Sequence, residues 1–411
     1  MRKFYAFAGI LILCVLSKTA SAQNTNDSVA MGPGYANEVY YSFTTGSVAE
    51  VPRSGWDIAF HTELWSATIL INEGVGVQLW NYPKGDTNAW AIIDTTGLTT
   101  WKAYYNNHAT WDDGAFNRYA TGHPDYGWGV YNMVNHNVIG DSVLILKTES
   151  GTYKKMRIVK KVSVANTYYF TYANLDGSQE QTVVLDINPY TAKNLVAYSI
   201  DNNQVVDREP AKDLWDLVFT KYMAIYPTGD PYLVTGVLTN WSNHSAKASP
   251  VSPDYSDWSV LEVGPVRDRI GYDWKTFDMG TFSYIIEDSI VYFVKDAAGN
   301  MNRLVMTGFG GSASGKFLFE KSLASANSIE AQTDANPSVW PNPANETVNV
   351  ILAGHEGSLS VFDLMGNKVI QKSVQGMQGT YQVSTMDLKP GVYFLQIQSG
   401  DNVRTTRIVI Q

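Results

Sequence analysis

A five-residue phrase that occurs twice constrains the fold of this chain more than any other feature. It reads Trp56-Asp57-Ile58-Ala59-Phe60 and again Trp215-Asp216-Leu217-Val218-Phe219. Each copy alternates aromatic and aliphatic residues, the period-2 signature of a half-buried strand. A Tyr-Ser step comes before each copy, at Tyr41-Ser42-Phe43 and Tyr198-Ser199-Ile200. An Asp-Ser strand comes after each, running from Asp141 to Lys147 and from Asp288 to Lys295. The offsets between copies are roughly 157, 159 and 147 residues, a period that means duplicated domains and not a solenoid.

The 411 residues allow about two to three domains. Hydrophobic residues make up 45% and charged residues 17%, a globular balance. Aromatics reach 13%, with 25 Tyr and 12 Trp, and these suit pleated surfaces, so an all-β protein is expected. The net charge of −9 argues against a nucleic-acid partner, which requires a basic face. Arg2 and Lys3, the apolar run from Phe4 to Leu16, and Ala20-Ser21-Ala22 read as a secretory signal peptide over residues 1–22. The one cysteine, Cys14, lies inside it, so the mature chain carries no disulfide. No later stretch is long and apolar enough for a transmembrane helix.

Turn signals and the repeat place a first domain over residues 35–178 and a second over 181–323. Residues 324–338 are small and polar and read as a linker. Residues 339–411 read as a small antiparallel β-sandwich, a Greek-key candidate. Its sequence carries Trp340-Pro-Asn-Pro343, Val361-Phe-Asp-Leu-Met-Gly366, Leu388-Lys-Pro-Gly-Val-Tyr-Phe394, and Arg404 and Arg407 before Ile408-Val-Ile410. In that order these segments resemble the C-terminal sorting domain of the type IX secretion system. The resemblance implies export by that machinery through residues 339–411. It also implies a secreted protein, or one on the outer-membrane surface of a Gram-negative cell.

The two repeats resemble the HmuY-like haem-binding family. The residues that carry the likeness are Tyr41-Ser-Phe-Thr-Thr-Gly46, Trp56-Asp-Ile-Ala-Phe-His61 and Val143–Lys147 with Gly151. In the second copy they are Tyr198–Ile200, Trp215–Phe219 and Val291–Lys295 with Gly299. The fold class implied is all-β: two tandem HmuY-like antiparallel domains followed by the sorting sandwich.

That resemblance implies haem held between two side chains, with apolar and aromatic walls. The densest region of histidines and aromatics is 108–136. It offers His123 and His136 as axial ligands, His108 or Met133 as substitutes, and Trp111, Tyr126, Trp128 and Tyr131 as walls. Haem, or a host haemoprotein, is then the expected partner. The bland alternatives place His136 as a sheet residue, His123 in a solvated loop and His61 in a structural strand. Trp56 and Trp215 are expected in the core, with Asp57 and Asp216 free to bond a turn backbone. No phosphate loop, HExxH, zinc spacing or nucleophile elbow is present, so neither catalytic nor metal residues are assigned and a non-enzymatic protein is expected. The carboxylates of Asp112, Asp113, Asp254 and Asp257 offer a glycosidase pair only as an outside reading. The competing function is a surface glycan- or protein-binding adhesion module without haem.

Overall fold

The computed structural model describes residues 24–226, 228–325, 339–353, 357–374, 378–399 and 402–411. The segment read as a signal peptide, nearly all of the stretch read as a linker, and His355 lie outside the described residues. The chain divides into two compact units, Met1–Asn327 and Ser328–Gln411.

The first unit opens with strands β1 (Thr25–Ala30), β2 (Asn37–Ser42) and β3 (Gly46–Pro52). Next come β4 (Ile58–His61), β5 (Ile69–Ile71), β6 (Gln78–Asn81), β7 (Ala103–Tyr104), β8 (Gly129–Tyr131), β9 (Val138–Gly140) and β10 (Leu144–Lys147). They are followed by β11 (Tyr153–Val162), β12 (Thr167–Asn174), β13 (Gln181–Asp186), β14 (Leu195–Ser199) and β15 (Gln204–Val206). The last eight are β16 (Leu217–Ile225), β17 (Pro231–Thr239), β18 (Ser245–Ala248), β19 (Lys275–Asp278), β20 (Ser283–Ile286), β21 (Val291–Lys295), β22 (Met301–Phe309) and β23 (Lys316–Ser325).

Pairing sorts these strands into two lobes that do not follow the order of the repeats. The first Trp-Asp strand, β4, lies between β5 and β14, so its neighbour is the second Tyr-Ser strand. The second Trp-Asp strand, β16, lies between β17 and β2, the first Tyr-Ser strand. One core gathers Ile58, Phe60, Leu144, Leu146, Phe170, Val196 and Tyr198. The other gathers Val29, Val39, Tyr41 and Phe43 with Leu217, Phe219, Tyr292, Val294 and Phe317. Lobe one is therefore contiguous, from β4 to β15. Lobe two runs from β16 to β23 and is completed by β1 to β3 from the start of the chain. The correspondence is strand by strand. β1 closes on β23 as β13 closes on β12, and β3 flanks β2 as β15 flanks β14. The ladders thus cross the boundary that the sequence suggests between 178 and 181.

Each Trp-Asp aspartate fixes this closure. Asp57 is almost wholly buried and accepts hydrogen bonds from the backbone N–H of Ile200 at 2.7 Å and of Glu149 at 2.9 Å. Asp216 accepts from Phe43 N–H at 2.9 Å and Ala297 N–H at 3.2 Å. In both lobes one oxygen holds the residue after the Tyr-Ser pair and the other holds the turn after the Asp-Ser strand. Asn72 and Asn240 repeat the pattern. Asn72 donates to the carbonyls of Arg53 and Trp56, and Asn240 to those of Lys212 and Trp215.

The phrase is buried on both sides, not on one. Ile58 and Phe60 enter the lobe-one core, while Ala59 borders the space between lobes. Leu217 and Phe219 enter the lobe-two core, while Val218 joins a cluster with Tyr40, Trp215 and Leu238 on the opposite face. Two sheets, β15-β14-β4-β5 and β17-β16-β2-β3, supply these inner faces. A strand covered on both faces reads as a nearly continuous apolar run.

The second unit contains a three-stranded and a four-stranded sheet. Val348, Val350, Leu359, Val361, Leu395 and Ile408 are buried between its strands. The chain crosses between the two sheets on either side of Gln378–Ser384. At the hairpin tip the Asp363 carboxylate accepts from Met365 and Asn367 N–H, and Gly366 takes a φ of 81°. This is the sandwich the sequence predicts.

Candidate functional site

Trp128 anchors the site region. It is fully buried in the lobe-one core, and its indole N–H donates to Ala67 O at 2.9 Å. From this anchor β8 and β9 project as a hairpin. Its base lies against β11, and a Cβ on Gly140 would meet the Ile158 carbonyl oxygen at 1.6 Å, so only glycine fits. The tip is set by Asn132, whose side-chain oxygen accepts from Val134 and Asn135 N–H. His136 closes the tip in the left-handed region, with φ 61°, and donates its N–H to Asn132 O. It is a turn residue and not part of a strand.

Five rings gather on this face. The Tyr131 hydroxyl and His136 Nδ1 are 2.6 Å apart. His123 packs on Tyr131 with ring centres 5.1 Å apart, and Tyr126 lies 6.0 Å from Tyr131. Trp65 meets His136 edge-on at 6.1 Å. Trp65 is 57% exposed and Met133, at the hairpin tip, is 73% exposed. The loop that carries Trp65 is held from beneath by Lys161, a side chain that is almost wholly buried. Its ammonium donates to the carbonyls of Glu63, Leu64 and Ser66. Burial lowers the Lys161 pKa to about 7, and only the charge of Glu63 opposes that shift. The Tyr168 hydroxyl adds a hydrogen bond to Ser66 O. Trp65 therefore stands on a fixed loop, exposed without being loose.

The structure brings together four of the eight residues that sequence singled out: His123, Tyr126, Tyr131 and His136. Met133 sits beside them at the tip. The other three lie elsewhere. Trp128 is core. His108 pairs with Asp268 across the lobes, Nδ1 to Oδ2 at 2.7 Å. Trp111 also bridges the lobes, donating from its indole to Thr239 O. Trp111 stacks at 5.3 Å on Trp241, which stacks at 3.8 Å on His61, and the Arg267 guanidinium lies 4.4 Å from the Trp111 ring. The column alternates residues of the two lobes and joins them. Burial holds the His61 pKa down at about 3, with the charges of Lys161 and Lys212 acting the same way.

The structure does not gather this set around a single gap. A porphyrin needs two apolar walls and two ligands facing one gap. Here the expected walls Trp111 and Trp128 are committed to other places, His108 is held by a carboxylate, and His123 and His136 both lie against the ring of Tyr131. The loop carboxylates are also in use: Asp112 accepts from the Trp241 indole, and Asp113 pairs with Arg118. Trp65, Lys161 and Trp241 were not singled out from sequence. Trp65 stands in a polar loop where a large aromatic has no packing role, and that was the available signal.

A second concavity, of about 910 Å³, lies beside Trp241, with Glu63, Asp112, Lys193, Lys212, His244 and Lys295 among its lining. A smaller cavity, of about 90 Å³, lies between the inner faces of the two lobes.

Residues 338–411 match the family of secretion system C-terminal sorting domains. The protein is accordingly exported, to the cell surface or into the medium, with its tail recognised by the type IX machinery. Among the described residues no helix is long and apolar enough to cross a membrane. No curated protein matches the chain. Among solved structures it is similar to PorZ, a surface component of the type IX secretion system of Porphyromonas gingivalis, at 10% identity and a TM-score of 0.17. That match covers 68% of this chain and 44% of PorZ, so the chain spans less than half of PorZ's length. It is also similar to the BSP domain of a biofilm associated protein, at 10% identity and a TM-score of 0.19, covering 95% of this chain and 81% of that one.

Proposed function

We propose that the protein is a non-enzymatic surface binding module that takes saccharides on the exposed aromatic face of lobe one. The observation that carries this reading is the cluster of Trp65, His123, Tyr126, Tyr131 and His136 on one face, with Trp65 more than half exposed on a loop fixed by a buried lysine. An indole and a phenol offer an apolar ring face with a polar tip, which suits the apolar face and hydroxyl rim of a sugar. Asn132, Asn135 and the two imidazoles supply hydrogen-bonding groups around the rings. The equivalent hairpin of lobe two, β19–β20, also exposes large side chains, Phe277, Met279, Phe282 and Ile285, but it lacks the imidazoles. In this reading the likeness of the repeats to the HmuY-like family concerns their strand framework, and the haem chemistry is not carried over.

The test is a glycan array followed by calorimetric titration of the strongest hit. Trp65→Ala and Tyr131→Ala are expected to weaken binding by at least about tenfold each, since stacked aromatics dominate such contacts. A haemin titration runs beside it. A sharp Soret shift that is lost in His123→Ala and His136→Ala, with no glycan bound, would replace this reading with the haem one.

A further inference from the structure

The cavity between the lobes is walled by the two tryptophans of the repeated phrase, and both indole N–H groups are spare. Trp56 Nε1 and Trp215 Nε1 are buried and have no hydrogen-bond partner, and the same holds for the hydroxyl of Tyr222, which also lines the space. The buried carboxylates around it are the opposite case. Glu38 accepts from Tyr40, Thr220 and Arg208. Glu73 accepts from the N–H groups of Met223 and Asn106. Glu209 accepts from Leu195 N–H and from Asn194. The acceptors are occupied and the unspent groups are donors. An unpaired buried donor is costly, so an occupant with acceptor atoms is expected there.

Two guanidiniums face the same space. Arg208 lies 5.3 Å from the Trp56 ring, and Arg267 is wholly buried. Ala59, Leu70, Val218 and Leu238 supply an aliphatic part of the wall, and Asn72, Asn106, Asn194, Thr220 and Lys221 add polar groups to it. A volume of about 90 Å³ corresponds to roughly three waters, or one organic molecule of a few heavy atoms. From these features we infer that the interlobe cavity is a binding site for a small monocarboxylate with a short alkyl chain. The carboxylate accepts from the paired indoles and from Tyr222, and the alkyl part meets the aliphatic wall. The duplicated phrase then has a second use: each copy delivers one donor to a site that neither lobe contains alone.

The experiment is calorimetric titration of the intact protein with acetate and with propionate, at constant ionic strength set by chloride. Saturable one-to-one binding is expected, together with a thermal shift that chloride alone does not give. Trp56→Phe and Trp215→Phe keep an aromatic side chain and delete the donor, and each should weaken affinity by at least about tenfold, the cost of one hydrogen bond to a charged group. Trp101→Phe, at a tryptophan that packs with Tyr82 away from the cavity and from the proposed saccharide face, should leave this binding unchanged. No saturable binding and no acetate-specific thermal shift in the wild-type protein would mean that the cavity holds only water and would overturn the proposal. Undiminished binding in a folded Trp56→Phe/Trp215→Phe double variant would overturn it as well.

Discussion

Replacing Asp216 with alanine strips lobe two of the group that holds its borrowed strands. The carboxylate accepts from Phe43 N–H, which is buried, from Ala297 N–H, which is partly buried, and from the Asn243 amide, which also donates to Asp216 O and so keeps a partner. Leaving a buried amide unpaired costs about 1–3 kcal/mol, and the partly buried one belongs at the low end, so a total of about 2–4 kcal/mol is expected. Asp57→Ala removes the matching pair, Ile200 and Glu149, and should cost about as much. Burial already pushes the Asp57 carboxyl pKa up, so removing it recovers part of a desolvation cost and places Asp57→Ala toward the lower figure. The assay is urea unfolding followed by tryptophan fluorescence and far-UV circular dichroism, with Asp→Asn variants as intermediates that keep one acceptor. Midpoint losses of similar size at the two sites are expected. A loss below about 0.5 kcal/mol at either site, the range of an ordinary surface substitution, would refute the assignment of these aspartates as the closing groups.

Two further outcomes follow from the same geometry. Burial raises the Glu73 carboxyl pKa from 4.5 to about 7. Between those values the folded state keeps a proton that the unfolded chain has released, so this contribution is complete below about pH 4.5 and is lost as pH rises through 7. The shift corresponds to about 3 kcal/mol; Glu73→Gln should therefore gain that much relative to wild type between pH 4.5 and 8, and a difference independent of pH would contradict the cause assigned. Deleting residues 339–411 should leave the protein in the periplasm by cell fractionation, and unchanged export would contradict the role of the tail.

The duplicated phrase was legible in sequence, and so were the all-β class, the sorting sandwich and the capacity of Asp57 and Asp216 to bond a turn. Which Tyr-Ser strand pairs with which Trp-Asp strand was not. Period 2 says that a strand has two faces and is silent about the neighbour on its edge, and a repeat looks the same wherever its first unit is taken to begin. The half-buried reading of Ile58-Ala59-Phe60 missed the second lobe, which covers Ala59. The histidine-rich stretch located a real cluster, but density along the chain could not separate Trp128, wholly inside the core, from Tyr131, half-buried at its margin. Lys161 lies in a lysine-rich stretch that reads as solvated, and its burial depends on three carbonyls about a hundred residues away.

The closure of lobe two by the start of the chain is tested most directly by circular permutation. Thr25 lies opposite Lys321 in the β1–β23 ladder, close to Ser325. A linker of about six Gly and Ser residues can therefore join 325 to 24, with new ends opened between Lys212 and Asp213. Each lobe is then continuous, and the permutant should fold with a native near-UV spectrum and a thermal midpoint within a few degrees of the parent. If each repeat instead closed on its own Tyr-Ser strand, the cut would part Tyr198 from Trp215, and an unfolded or aggregated permutant would contradict the account.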